Sequence, residues 1–160
     1  MSQRVGIGID VHRFGEDPDR PLVLGGVAFP GEAGLEGHSD ADVVAHAVCD
    51  ALFGAAGLGD IGMHFPDSDE RWRGADSLLL LKEAAARVRE AGYRLVNADC
   101  SVVTERPRLA SSRDEMMARL SAAAGGPVHV KATRPESLGA IGRVEGIACF
   151  AVATVEESGA

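Results

Sequence analysis

Between positions 5 and 12 the chain alternates at every residue. Val5, Ile7, Ile9 and Val11 lie on one side of an extended backbone, and Gly6, Gly8, Asp10 and His12 lie on the other. A period of two marks a β-strand, so residues 4–13 form the first element. The second face is unusual, because it sets an acid and an imidazole two positions apart. Side chains at i and i+2 project to the same side, about 6.6 Å apart along the strand. Two such groups can reach one ion.

The rest of the 160 residues suits a single domain, 1–160. Residues 21–29, "PLVLGGVAF", read as a second strand. A helix is expected from Ala41, where Val43, Val44, Ala47, Val48, Ala51 and Leu52 recur at helical spacing. Ser39 or Asp40 would cap its start and Gly57 would end it. Residues 59–74 form a loop too long for a simple connector. A helix over 75–92, a strand over 93–105 and a helix over 111–126 follow. Ser112 and Glu115 stand at capping-box spacing. "PVHVKATR" and "EGIACFAVATVEE" complete the strands, and residues 157–160 are expected to fray. The order β-β-α-α-β-α-β-β predicts an α/β chain of the α+β kind, with a single mixed β-sheet and helices packed on one face.

Charge and cysteine content narrow the function classes. The net charge of −8 argues against nucleic acid and anionic membrane as partners, since both require basic patches. A local cation can still dominate a pocket, because exposed charges are screened over about 8 Å. Cys49, Cys100 and Cys149 lie far apart and are odd in number, which fits a reduced, cytoplasmic protein. No apolar run reaches the roughly 18 residues of a membrane span. A strand that starts at once leaves no room for a signal peptide.

The segment "HSDADVVAH" brings His38, Asp40, Asp42 and His46, with Asp42 and His46 one helical turn apart. One carboxylate with two imidazoles suits Zn²⁺, and three protein ligands leave a fourth position open, as catalytic sites do. A plainer reading also stands: Asp10 caps a turn, His12 is surface polar and His46 is a satisfied core histidine. "GLGDIG" matches G-x-G-x-x-G, but it follows a helix where a dinucleotide fingerprint follows a strand. His64 and His129 are isolated, and no nucleophile elbow or Walker motif is present.

"GIDVHRF", "LVLGGV", "GHSDADVVAHAVCDALFGAAGLGDIGMHFPDSD", "GADS", "VKAT" and "GRVEGIAC" together resemble the 2-C-methyl-D-erythritol 2,4-cyclodiphosphate synthases. The match runs in order through nearly the whole chain. The resemblance implies conversion of 4-diphosphocytidyl-2-C-methyl-D-erythritol 2-phosphate to a cyclic diphosphate and CMP, in non-mevalonate isoprenoid synthesis. It also implies a homotrimer with sites between subunits. Asp10, His12 and His46 match zinc ligands, with Asp10 and His12 beside the substrate. Glu136 matches a residue that helps hold a second divalent ion, Mg²⁺ or Mn²⁺.

Further roles follow from the same resemblance. His38 and Ser39 match phosphate-contacting positions, and His38 is a candidate for stabilising the transition state. Asp60, Ile61, Gly62, Phe65, Pro66, Asp67, Ser68 and Asp69 match the loop that closes on the methylerythritol. Thr104, Glu105, Arg106, Pro107, Arg108, Leu109 and Ala110 match the segment that wraps the cytosine. Thr133 and Arg143 match phosphate-side positions.

Three residues depart from the family pattern. Arg134 stands where the family usually has a second threonine whose hydroxyl helps the transition state, which makes Arg134 the second catalytic candidate beside His38. A guanidinium is a stronger phosphate ligand than a hydroxyl. Arg134→Thr is therefore expected to weaken substrate binding, and unchanged kinetics would contradict this. Pro135 stiffens the same loop. Phe150 replaces an acidic residue common near the trimer axis. Two rival functions remain: a zinc-dependent phosphoesterase on the same scaffold, and a non-catalytic zinc-stabilised trimer.

Overall fold

The computed structural model describes residues 2–159. Strand β1 spans Gln3–Arg13, and its glycine face is the one turned inward. A Cβ on Gly6 would lie 2.1 Å from the Ala51 carbonyl oxygen, and one on Gly8 would lie 2.0 Å from that of Ala47. Both oxygens belong to helix α1 (Val43–Ala56). Only glycine lets the helix backbone approach the strand this closely. Because Gly6 meets Ala51 and Ala55 while Gly8 meets Ala47 and Ala51, the helix runs antiparallel to the strand.

The main sheet has strand order β1-β6-β4-β5, where β4 is Tyr93–Val103, β5 is Val128–Thr133 and β6 is Gly146–Glu157. β6 pairs antiparallel with both β1 and β4, while β4 and β5 are parallel. Helix α4 (Arg113–Ala124) makes the crossover that a parallel pair requires. With α1 and α3 (Ser77–Glu90), it covers one face of the sheet. Leu52, Phe53, Leu81, Met116, Leu120 and Ile147 fill the space between, all essentially without exposure. α1 packs against β1, β6, β4 and α3 together, which accounts for its burial on nearly every side. A mixed sheet with helices on one face is the architecture expected.

Local departures have local causes. Residues 21–29 do not form a strand of the main sheet. They form a separate hairpin of β2 (Val23–Leu24) and β3 (Val27–Ala28). Gly25 and Gly26 both have positive φ, 58° and 75°, the signature of a tight turn that reverses the chain. The N-cap of α1 is Asp42, not Ser39 or Asp40. Its carboxylate accepts from the amides of Val44 and Ala45, and also from those of Gly25 and Gly26. Ser112 forms no side-chain cap, because its backbone is already helical. Glu115 pairs instead with Arg119, at 2.6 Å, so the expected capping box is absent. The loop at 59–74 contains helix α2 (Ile61–His64) and a 3₁₀ turn at Glu70–Trp72. A last short helix, α5, spans Gly139–Gly142. At the chain end, where fraying was expected, the Glu157 amide donates to Ser2 and that of Ser158 to Gly92. Ala160 lies outside the described residues.

The other face of the sheet carries no layer from the described residues. Val5, Ile7, Ile9 and Val11 are 51–67% exposed, and Phe150 and Val152 beside them are 42% and 45% exposed. Ile7 pairs with Val152 and Ile9 with Phe150, so the patch is continuous across two strands.

Candidate metal centre

Past the two glycines, the inward face of β1 continues with Asp10 and His12. The antiparallel course of α1 brings its first turn, and His46, to the same level. Asp10 Oδ2 lies 2.9 Å from His12 Nε2 and 3.1 Å from His46 Nδ1. The two nitrogens are 3.3 Å apart. Donors at about 2.0–2.1 Å from a tetrahedral ion are separated by about 3.3 Å, so the three atoms are spaced to share one cation. Among the described residues these three side chains form a cluster that could hold a metal ion. Asp42, one turn from His46, is committed to capping and stays outside it.

Hydrogen bonds on the far side of each ring select the donor atom. His12 Nδ1 donates to the Glu36 carbonyl at 2.6 Å, which leaves Nε2 free to bind a metal. Gly37 makes room for that ring, since a Cβ there would come within 3.2 Å of His12 Cε1. Arg20 holds the surrounding segment. Its Nε donates to Leu35 O at 2.5 Å, and its Nη2 to Gly37 O at 3.1 Å and Ser39 O at 2.6 Å. The intervening carbonyls bind elsewhere, Glu36 O to His12 and His38 O to the Gly74 amide. Residues 35–39 are thus fixed on both sides.

Burial works to raise the Asp10 pKa, but hydrogen bonds and charge from His12 and His46 outweigh it and bring it down to about 2. Burial works to lower that of His12, and the Asp10 carboxylate reverses this, leaving it above its ordinary value. Burial, then the neighbouring Asp40, push Asp42 up to about 6 against the backbone amides it accepts.

The triad opens into a cavity of about 210 Å³, lined also by Gly37, His38, Ser39, Ile61, Gly62, Phe65, Asp67, Trp72 and Leu80. Phe65 stands edge-on to Trp72 at 5.0 Å, with Arg87 over its ring at 5.0 Å. His64 stacks on Phe53 at 3.9 Å, and these contacts fix the loop. Asp60 caps α2 through the Met63 amide, and Asp69 caps the 3₁₀ turn through that of Arg71. Pro66 O accepts from the Asp69 amide, and Ser68 is exposed.

A second cavity of about 280 Å³ is lined by Thr104, Glu105, Pro107, Arg108, Leu109, Ala110, Thr133 and Arg134, among others. It shares no lining residue with the first. Arg134 is paired there with Glu105 at 2.8 Å. Arg106 approaches Glu32 at 3.6 Å and Arg143 pairs with Glu145 at 2.7 Å. Glu136 is exposed, with φ 54°. The expected site residues therefore fall into two groups that one chain does not bring together.

The sequence reading left out Arg20, Trp72 and Ser77. Trp72 could have been noticed as the chain's lone tryptophan, set in an acid-rich loop. Its Nε1 and His38 Nε2 are buried without a hydrogen-bond partner among the described residues. Two such atoms at one cavity are what a polar ligand would satisfy.

The fold and the triad define a mixed-sheet α+β protein with a potential divalent-metal site of one carboxylate and two imidazoles. Residues 3–156 match the YgbB family, and the chain belongs to that family. It is 54% identical over 159 residues to the 2-C-methyl-D-erythritol 2,4-cyclodiphosphate synthase of Laribacter hongkongensis, covering 98% of this chain and 97% of the relative. It is 56% identical over 152 residues to the bifunctional enzyme IspD/IspF of an Anaeromyxobacter species, covering 93% of this chain and 39% of that protein. The chain thus spans about two fifths of the length of the bifunctional relatives it matches. The bifunctional IspDF structure from Campylobacter jejuni superposes with a TM-score of 0.92 at 42% identity, covering 98% of this chain and 42% of that one. A CDP-bound 2C-methyl-D-erythritol-2,4-cyclodiphosphate synthase superposes with a TM-score of 0.85 at 36% identity, covering 96% of this chain and all of that one.

Proposed function

We propose that this chain converts 4-diphosphocytidyl-2-C-methyl-D-erythritol 2-phosphate to 2-C-methyl-D-erythritol 2,4-cyclodiphosphate and CMP. It acts as a cyclising phosphorus–oxygen lyase of non-mevalonate isoprenoid synthesis. The observation that carries this reading is the convergence of Asp10, His12 and His46 at the wall of a cavity that also holds His38 and the 61–72 loop. The 2-phosphate must approach the β-phosphorus of its own diphosphate against charge repulsion, so catalysis is chiefly positioning and charge compensation. A bound Zn²⁺ supplies Lewis-acid charge and a template at the phosphates. The chain supplies the rest. His38 offers Nε2 to a phosphate oxygen, Ser39 lies beside it, and Gly62, Phe65 and Asp67 enclose the methylerythritol.

The cavity at Thr104–Ala110 and Thr133–Arg134 receives the cytidine end, with Thr133, Arg134 and Arg143 toward the phosphates and Glu136 holding a second ion, Mg²⁺ or Mn²⁺. Neither cavity, at about 210 and 280 Å³, reaches the 300 Å³ or more typical of a site for a drug-sized ligand. This supports a substrate shared between neighbouring subunits. The uncovered apolar face of β1 and β6 is the surface by which three copies would associate. Three free, buried cysteines support a cytoplasmic setting. Incubation with the cytidyl substrate tests the reading. CMP and the cyclic product should form, stop on chelation and return with zinc. Absence of CMP from metal-replete protein, or turnover unaffected by chelation, would refute it.

A further inference from the structure

We propose that Ser77 and Asp40 form a hydrogen-bonded relay that orients His46 and strengthens its Nδ1 as a metal ligand. This rests on the metal reading of the triad. His46 points Nδ1 at Asp10 and His12, and with a metal on Nδ1 its proton would sit on Nε2, in the protein interior. There Nε2 meets Ser77 Oγ at 2.9 Å and Ser39 Oγ at 3.0 Å. Ser77 has no exposed surface and Ser39 is 6% exposed.

The hydroxyl directions follow from the acceptors. Ser77 Oγ donates its one proton to Asp40 Oδ1, so the hydroxyl presents a lone pair to His46. Asp40 has nothing to donate. It accepts from the amides of Ser77 at 3.0 Å and Asp42 at 3.1 Å as well as from the hydroxyl. The chain of donors therefore runs one way, from His46 Nε2–H to Ser77 Oγ–H to the Asp40 carboxylate. A carboxylate behind a metal-bound imidazole fixes its tautomer and makes the other nitrogen a better donor; here one hydroxyl stands between the two.

Two features set this arrangement apart from ordinary helix capping. Ser77 opens α3, but the cap of that helix is Asp76, which takes the Leu78 amide. The Ser77 hydroxyl is not needed there. Asp40 and Asp42 are separated only by Ala41, a buried non-glycine residue at φ 57°. Across it the two acids take different partners: Asp42 binds the Gly25–Gly26 turn, and Asp40 binds Ser77.

Ser77→Ala removes the relay and leaves Asp40 with its two backbone donors. Zinc affinity, measured by competition with a chromophoric chelator, should fall about 10- to 100-fold. Melting of the metal-free variant should stay within the few degrees expected for one lost hydroxyl. An unchanged zinc affinity would overturn the relay. A variant that melts far lower without metal yet binds zinc as before would assign Ser77 a purely structural role, and would also overturn it. The zinc-loaded parent gives a test that needs no variant. ¹⁵N–¹H NMR should show His46 metal-bound through Nδ1, with an Nε2 proton slow to exchange. A freely exchanging proton, or Nε2 on the metal, would contradict the proposal. If the parent binds no zinc, the metal reading itself fails and the relay fails with it. If the parent binds zinc and the variant matches it, only the relay fails.

Discussion

His12 is held between two demands. Its Nδ1 proton is committed to Glu36 O, and Asp10 favours a second proton on Nε2, holding the pKa above its usual value. A metal ion needs that nitrogen bare. The proton therefore competes at a higher pH than it would at a free imidazole, and zinc affinity should weaken as pH falls through the raised pKa. Asp10, at about 2, stays ionised throughout and adds no dependence. Calorimetry between pH 5 and 8, in buffers of different ionisation enthalpy, should show about one proton released per zinc at the acid end. Affinity independent of pH would contradict the assignment. At this scale the sequence was informative about what meets the metal and silent about what stands behind it. Asp10 and His12 are two positions apart, and His46 belongs to the other motif-bearing segment, HSDADVVAH. Ser77 lies 31 residues beyond His46, and no local pattern links them. Arg20 acts on three backbone carbonyls, which carry no sequence signature.

Elements are positioned by what their surfaces lack. Gly6 and Gly8 let α1 lie against β1, and that contact sets the level at which His46 meets Asp10 and His12. Gly8→Ala would place a methyl 2.0 Å from Ala47 O. The helix must move away, at a cost of about 1–3 kcal/mol or more. The melting temperature should fall, and zinc affinity with it, because His46 shifts. A variant with the parent's affinity would show that the ligands are not held by this contact. Periodicity exposed β1, α1 and the sheet class, because their patterns run for eight residues or more. It misread 21–29, because an apolar run carries no mark of the two positive φ angles at Gly25 and Gly26. It misplaced the cap of α1 because three polar or acidic candidates, Ser39, Asp40 and Asp42, lie within four positions around a single alanine.

For the whole molecule, the informative feature is the uncovered face of the sheet. Val5, Ile7, Ile9 and Val11 look in sequence like a core face, yet in the chain alone they meet solvent. Alternation reveals that a face is apolar without revealing whether its partner belongs to the same chain. In the proposed trimer, Ile9→Glu places three charges at a buried contact. Light scattering should then report monomers that keep their circular dichroism, and turnover should be lost because the two cavities no longer face each other. A variant that stays trimeric, or a monomer that still releases CMP, would contradict the shared site.

The most direct test is the fate of solvent oxygen. In ¹⁸O water, the zinc-loaded protein should turn the cytidyl substrate into CMP and a cyclic diphosphate, neither carrying ¹⁸O, because the substrate's own 2-phosphate is the nucleophile. A linear product bearing ¹⁸O would mean that water attacks, and that the Asp10–His12–His46 centre serves a hydrolase.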